Sequence, residues 1–460
     1  MRTFAVALAA LVGTGCSGGS TPASISPAPS SERGSSNHVM ARAAGPVGHG
    51  WPTYHGDNER TGASSAAAAK PPLHRDWSRS LDGAVYAQPL VVGHRVIVAT
   101  ENDTVYALRR GTGHVLWRRH LGTPVTRGAL PCGNIDPLGI TGTPAFDAGT
   151  GSLLVVTETT GAHHTLRALS LRTGRPRWRR GLDVLAGRDR HAEQQRGALL
   201  VAHGRVYVPF GGLYGDCGDY VGYVTGTRTD GSGRTHHYAV PTARAAGIWA
   251  PPGAVQGKAG GDLFVAAGNG AQTNGSYDGS DSVIELTPKL RRAALFAPST
   301  WAQDNAQDLD LGSMSPVVLS SGQVVIAGKR GTVYLVNRLH GVGSQRATVT
   351  GCPAYGGAAS AGQVVFLPCD DGVRRLDVGQ RSMRWGWRTA GVTGSPSLAG
   401  SAVYLVDQDR GDLVELRSDT GAIRARLHIG SVTRFATAVP VGRHVFVGTT
   451  SGVVAIGGSS

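Results

Sequence analysis

The feature that most constrains this chain is a repeat. "VYALRRGTGHVLWRRHLG" begins at Val105 and reads as a short alternating strand, a glycine turn at Gly111–Gly113 and a second strand ending on Trp117. "LRALSLRTGRPRWRRGL", from Leu166, keeps the Ala-Leu, Thr-Gly and Trp positions, and "LVELRSDTGAIRARLHIG", from Leu413, keeps all but the Trp. Weaker copies start at Gly222, Ser282, Val333 and Val373, and a truncated eighth, "VVAIGGSS", starts at Val453. A lone hairpin is marginal in water, so such a unit makes sense only when neighbours repeat and cover it.

The starts lie 61, 56, 60, 51, 40, 40 and 40 residues apart. A period of roughly 40 residues with about four short strands belongs to propeller blades. The wider early spacings imply loops inserted in the first half. The last copy stops before its outer strand, while "LHRDWSRSL" (Leu73 to Leu81) is an outer strand with no blade of its own. Pairing the two closes a ring and hides the strand edges. The expectation is an all-β, eight-bladed β-propeller. The 68 glycines agree, as does the lack of any long apolar run of helical period beyond the first dozen residues.

The front end reads as an export signal. One Arg precedes the apolar run Phe4 to Val12, too short to span a bilayer, and small residues lead to Cys16. The segment resembles a bacterial lipobox, which implies acylation of Cys16. Residues 17–48, rich in Ser, Pro, Gly and Ala, read as a flexible tether, and 49–460 as a single propeller domain. Setting Cys16 aside leaves four of five cysteines, and an exported chain pairs them. The expected bridges are Cys352–Cys369, flanking one strand pair, and Cys132–Cys217, tying two inserted loops.

The formal charge of +14 does not point to nucleic acid. Its basic residues are nearly all Arg, spread through every blade without a basic run, and export removes nucleic-acid partners. The expected partners are the membrane, through the lipid, and other envelope proteins or wall polymers, with the chain a monomer on the extracytoplasmic face. His163-His164 and His236-His237 sit side by side on strands and face opposite ways, which argues against paired metal ligation.

The repeats resemble those of the pyrroloquinoline quinone (PQQ) propeller superfamily, as does the lead-in "WPTYHGDNERTG" (Trp51 to Gly62), over residues 51 to 458. The superfamily includes quinoprotein alcohol dehydrogenases and the propeller lipoprotein of outer-membrane protein assembly. The dehydrogenase side implies PQQ and calcium as cofactors. Trp249 in "GIWAPPGAV" falls at the family's stacking floor, and Asn269 in "AAGNGAQ" at a calcium ligand. Asp308 and Asp310 in "QDLDLGSMSP" offer the general base, Asp310 aligning better, and Lys329 in "AGKRGTVYLVN" falls at the residue that contacts the quinone. A flat aromatic carries a planar cofactor, oxygen ligands suit calcium, and a carboxylate takes a hydroxyl proton.

Three positions depart from that pattern. The family's second metal ligand, a Glu, falls on Cys217, with Asp216 and Asp219 adjacent but out of register. Its vicinal cysteine pair is reduced to Cys132-Gly133, and a quinone-binding Arg has become Leu138. The sequence thus supports two readings: a surface-anchored binding or scaffold propeller without catalysis, and a PQQ- and calcium-dependent alcohol dehydrogenase. The departures favour the first.

Overall fold

Alternating apolar residues, period two and broken by glycine turns, fold into eight antiparallel sheets arranged as a β-propeller. The structure, a computed structural model, describes residues 50–257 and 261–459. Cys16, the leader and the tether 17–48 lie outside the described residues. No helix among the described residues is long and apolar enough to cross a membrane.

Each blade has four antiparallel strands; three blades add a short fifth strand, and the closing blade takes its outer strand from the N-terminal segment. Blade 1 comprises Leu90–Val92, Arg95–Thr100, Thr104–Arg109 and Val115–His120. Blade 2 comprises Ala145–Asp147, Ser152–Thr159, His163–Ser170 and Pro176–Gly181. Inner strands are buried on both sides, because each sheet is sandwiched between two others; Leu90–Val92 and Ala402–Asp407 are buried throughout. Outer strands alternate: Met383–Ala390 exposes every second residue.

The ring closes as the orphan strand predicts. Lys70–Ser80, three residues longer at its start than the sequence suggested and ending one earlier, pairs antiparallel with Gly452–Ser459, with Arg79 opposite Val453. First and last segments therefore share one sheet, and no blade is left with an open outer edge at the junction. The upstream strand Ala63–Ser64 adds in parallel to blade 7 (Ser397–Ala399, Ala402–Asp407, Asp412–Arg417 and Ile423–His428) beside Leu398 and Ala399.

The recurring Trp and Thr-Gly have one joint explanation. An outer-strand Trp lies against the glycine turn of the next blade and donates its indole N–H to a carbonyl there: Trp77 to Arg110 (3.0 Å), Trp117 to Leu171 (3.1 Å), Trp178 to Thr229 (3.1 Å) and Trp387 to Ser418 (3.0 Å). The repeat motif is thus the contact between blades. Tryptophan suits it, with a broad apolar face and one donor at the edge.

Both expected disulfides are present, Cys132–Cys217 with Cα atoms 6.1 Å apart and Cys352–Cys369 at 4.9 Å.

Candidate functional site: a cavity on the ring axis

The inserted loops converge on a cavity of about 370 Å³, lined from Asn134, Gln194, Asp216, Trp249, Asp310, Lys329, Tyr355 and Phe435, among others. Asn134, Gln194, Trp249, Asp310, Tyr355 and Phe435 belong to six connections between successive blades, whereas Asp216 and Lys329 belong to hairpins between the second and third strands of single blades; loops from most of the ring thus meet at one place. The volume lies within the range of small-molecule sites.

Trp249 reaches the cavity because glycines at the ends of inner strands let its loop come close. A Cβ on Gly211 would lie 2.9 Å from the Cβ of Trp249, and one on Gly268 would be 3.3 Å from its Nε1 and would overlap the Asp310 carboxylate. Backbone bonds pin the loop on both flanks: Ile248 N–H donates to Phe210 O (3.0 Å) and Gly268 N–H to Gly247 O (3.0 Å).

Asp310 is buried and fully engaged. Its Oδ1 accepts the Asn269 amide N–H at 2.6 Å, and its Oδ2 lies 2.5 Å from Lys329 Nζ. Lys329 also reaches Asp308 Oδ1 at 2.7 Å and lies 6.0 Å from the centre of the Trp249 ring. Burial pulls the ammonium down, but Asp310 and Asp308 more than offset it, so Lys329 stays charged above the ordinary lysine range. Behind it, Asp281 accepts the Leu311 N–H at 2.9 Å, and burial holds that carboxyl well above the usual range.

Asp216 lines the same cavity and accepts the Tyr220 hydroxyl at 2.5 Å; burial, then the Asp216 charge, push that phenol up and keep its proton on. Asn269 sits just behind. Its amide donates to Asp308 Oδ1 at 2.7 Å, and its Oδ1 is buried without a partner. Asp219 is elsewhere: it is exposed, pairs with Arg188 at 2.5 Å and does not line the cavity. Leu138 is buried in an apolar cluster with Val125, Leu130 and Leu213, against which Cys132 and Cys217 pack.

The opposite wall is one that sequence reading missed. Arg196 and Arg434 both line the cavity, their guanidiniums 5.8 and 5.0 Å from the Phe435 ring centre, and Arg434 also lies over Tyr355. Burial depresses Arg196; Glu101 opposes that and the like charge of Arg434 adds to it. Phe435 adopts φ +67° and its ring stands 6.4 Å from that of Trp249. The only signal in the chain was "TRF" (Thr433 to Phe435), a cation beside an aromatic before the last blade, and Arg196 has no motif at all. The cavity therefore has an acidic side, where Lys329 offsets Asp308 and Asp310, an aromatic pair, and a basic side carrying two arginines.

Both disulfides brace this cavity. Cys132–Cys217 fastens the loops carrying Asn134 and Gly215–Asp216, and Cys352 lies three residues before Tyr355.

Comparison with known proteins agrees with this fold. The family model described as outer membrane protein assembly factor BamB matches residues 74–215. No curated protein matches the chain. Among solved structures, quinohemoprotein alcohol dehydrogenase from Comamonas testosteroni is 17% identical, with a TM-score of 0.67 over 91% of this chain and 82% of that one. BamB from Moraxella catarrhalis is 16% identical, TM-score 0.58, over 84% and 98%. A europium-containing methanol dehydrogenase is 14% identical, TM-score 0.69, over 89% and 98%. In fold the chain is a propeller of the PQQ-like kind; at these identities the likeness speaks for fold alone.

Proposed function

We propose that this protein is an extracytoplasmic binding module whose axial cavity takes a flat, carboxylate-bearing aromatic ligand of the pyrroloquinoline quinone class, without metal-dependent dehydrogenation. The observation that carries this is the pairing of Trp249 and Phe435 between Lys329 on one side and Arg196 with Arg434 on the other. Aromatic faces hold a planar ring, and two guanidiniums that repel each other gain from an anion placed between them.

Calcium does not fit the residues present. The Asn269 Oδ1 without a partner is one suitable donor, but calcium takes six to eight oxygens. The nearest carboxylates, Asp308 and Asp310, are already bound to the Lys329 ammonium. Asp216 is turned to Tyr220, and Cys217, at the family's Glu position, is spent in a disulfide.

Around this cavity we place the remaining assignments: residues 49–460 as one propeller domain, residues 17–48 as a tether, and Cys16 as the lipid attachment that holds a monomer at the outer face of the membrane. Envelope proteins or wall polymers are the partners of its loop-rich faces. The match to the assembly-factor model over residues 74–215 supports that scaffold role.

The second reading, a quinoprotein alcohol dehydrogenase, is favoured by the buried Asp310 beside Trp249. Dye-linked oxidation of a panel of alcohols, with PQQ and calcium supplied, separates the two. The proposal expects no turnover above the protein-free control. Turnover abolished by Asp310→Asn establishes the second reading instead.

A further inference from the structure

Between blade 2 and blade 3 (Leu200–Ala202, Arg205–Gly212, Tyr223–Arg228 and His236–Ala239), apart from the cavity just described, lies a buried cluster that the proposed function does not use. His164 is the second residue of the third strand of blade 2 and pairs across the sheet with Glu158. Its Nδ1 is 2.9 Å from Asp183 Oδ1 and its Nε2 is 3.2 Å from Glu158 Oε2. Glu193, from the strand that adds to blade 3, comes in from the neighbouring blade and accepts the Tyr223 hydroxyl at 2.9 Å. Ligand atoms of His164, Asp183 and Glu193 all lie within 4.8 Å of one another, and among the described residues no other three His, Cys, Asp or Glu side chains do so.

We infer that this cluster is a binding site for a divalent transition-metal ion, zinc or manganese, bridging blades 2 and 3. Three carboxylates surround a single imidazole in a space where His164 is 0% and Glu158 and Glu193 each 2% exposed. Glu158 Oε1 has no partner at all, and His164 Nε2 has no well-formed hydrogen bond. A buried imidazole nitrogen without a well-formed partner costs free energy, and a cation shared by His164, Asp183 and Glu193 offsets it, with Glu158 adding a buried negative charge beside the imidazole. One imidazole among carboxylates suits zinc or manganese; calcium takes oxygen ligands only.

The surroundings are those of a supported site. Tyr223 orients Glu193, and Asp183 is held by the His164 backbone N–H (3.2 Å) and by His163 Nδ1 (3.3 Å). Phe210 closes one flank, edge-on to His164 at 5.2 Å and stacked on Tyr223 at 4.3 Å. Asp183, a quarter exposed, gives the way in from solvent. His163 and His164 do point to opposite faces, so the site needs only one of them; its other members come from positions 19 and 29 residues further on, which no local motif joins. Metal entry displaces the imidazole proton, which leaves to solvent.

The test uses the full chain, stripped with EDTA and titrated with zinc chloride, with calcium chloride as a second arm. The expected result is one zinc per chain, a raised melting temperature, and affinity ten- to a hundredfold weaker in His164→Gln and in Glu193→Gln. His236→Asn/His237→Asn is expected to bind as wild type does. Should the cluster variants not fold, the visible spectrum of cobalt bound to the wild type decides, low-symmetry nitrogen–oxygen coordination being expected. The inference is overturned by zinc affinity unchanged in the cluster variants, by loss of binding in the His236/His237 variant alone, by calcium outcompeting zinc, or by a cobalt spectrum of the plain hexaaqua ion.

Discussion

Lys329 and Asp310 form a closed pair beside Trp249, Nζ 2.5 Å from Oδ2, with the other Asp310 oxygen taken by the Asn269 backbone. Neither charge is free in the unliganded cavity. Lys329→Met leaves a buried carboxylate without its counter-ion and is expected to cost about 3 kcal/mol, read from denaturant unfolding. Adding Asp310→Asn to that variant is expected to recover much of the loss. Equal destabilisation in the single and double variants would show that the pair contributes nothing.

Trp117 and Gly174 illustrate the contact that repeats round the ring. A Cβ on Gly174 would stand 2.5 Å from Cε3 of the indole, and the residue sits at φ +66°. Gly174→Ala therefore strains the backbone and separates the blades. We expect a loss of roughly 1–3 kcal/mol in the same measurement. Gly93→Ala, with similar φ but open space around it, is expected to cost less, and the difference isolates the clash.

The Cys132–Cys217 bridge spans 85 residues and fastens one wall of the cavity. Replacing both cysteines by serine is expected to cost about 2–5 kcal/mol and to weaken ligand capture in the cavity. Calorimetry on the double variant checks the first part. The Cys352–Cys369 bridge closes a much shorter loop, 17 residues, and its removal in Cys352→Ser/Cys369→Ser is expected to cost less.

Glu101 sets a pH dependence. It is buried; its Oε2 accepts Gly139 N–H at 2.8 Å and the Thr141 hydroxyl at 3.1 Å, while its Oε1 has no partner. Burial raises its carboxyl from 4.5 to about 7. The folded state therefore keeps the proton that the unfolded chain releases. This contribution is full below pH 4.5 and is lost as pH rises towards 7, roughly 3 kcal/mol at about 1.36 kcal/mol per pH unit. Glu101→Gln should remove that slope, seen as a difference between the unfolding curves of variant and wild type from pH 4.5 to 7.5.

The fold was legible because its information is periodic. Ala-Leu, Thr-Gly and Trp recur since at four blade junctions the same turn meets the neighbour's indole, and the orphan strand around Trp77 announced the closure. One side of the cavity was legible for another reason: Trp249, Asp308, Asp310 and Lys329 lie in short loop segments that resemble those of the propeller superfamily, and Asp216 follows from its place beside Cys217. The basic wall was not. Arg196 and Arg434 lie 238 positions apart and meet only because the ring brings both loops to the axis, so nothing local marks either. Asp219 is the same case in reverse, being close to Asp216 in sequence yet paired with Arg188 away from the cavity.

The most direct test is an equilibrium titration of the full chain with pyrroloquinoline quinone in excess EDTA, followed by quenching of tryptophan fluorescence. Saturable one-to-one binding is expected, weakened at least tenfold in Arg196→Ala/Arg434→Ala and in Trp249→Ala, and weakened further by salt as an anion site requires. Absence of saturable binding without calcium, or equal binding by wild type and the arginine double variant, would contradict the assignment of this cavity.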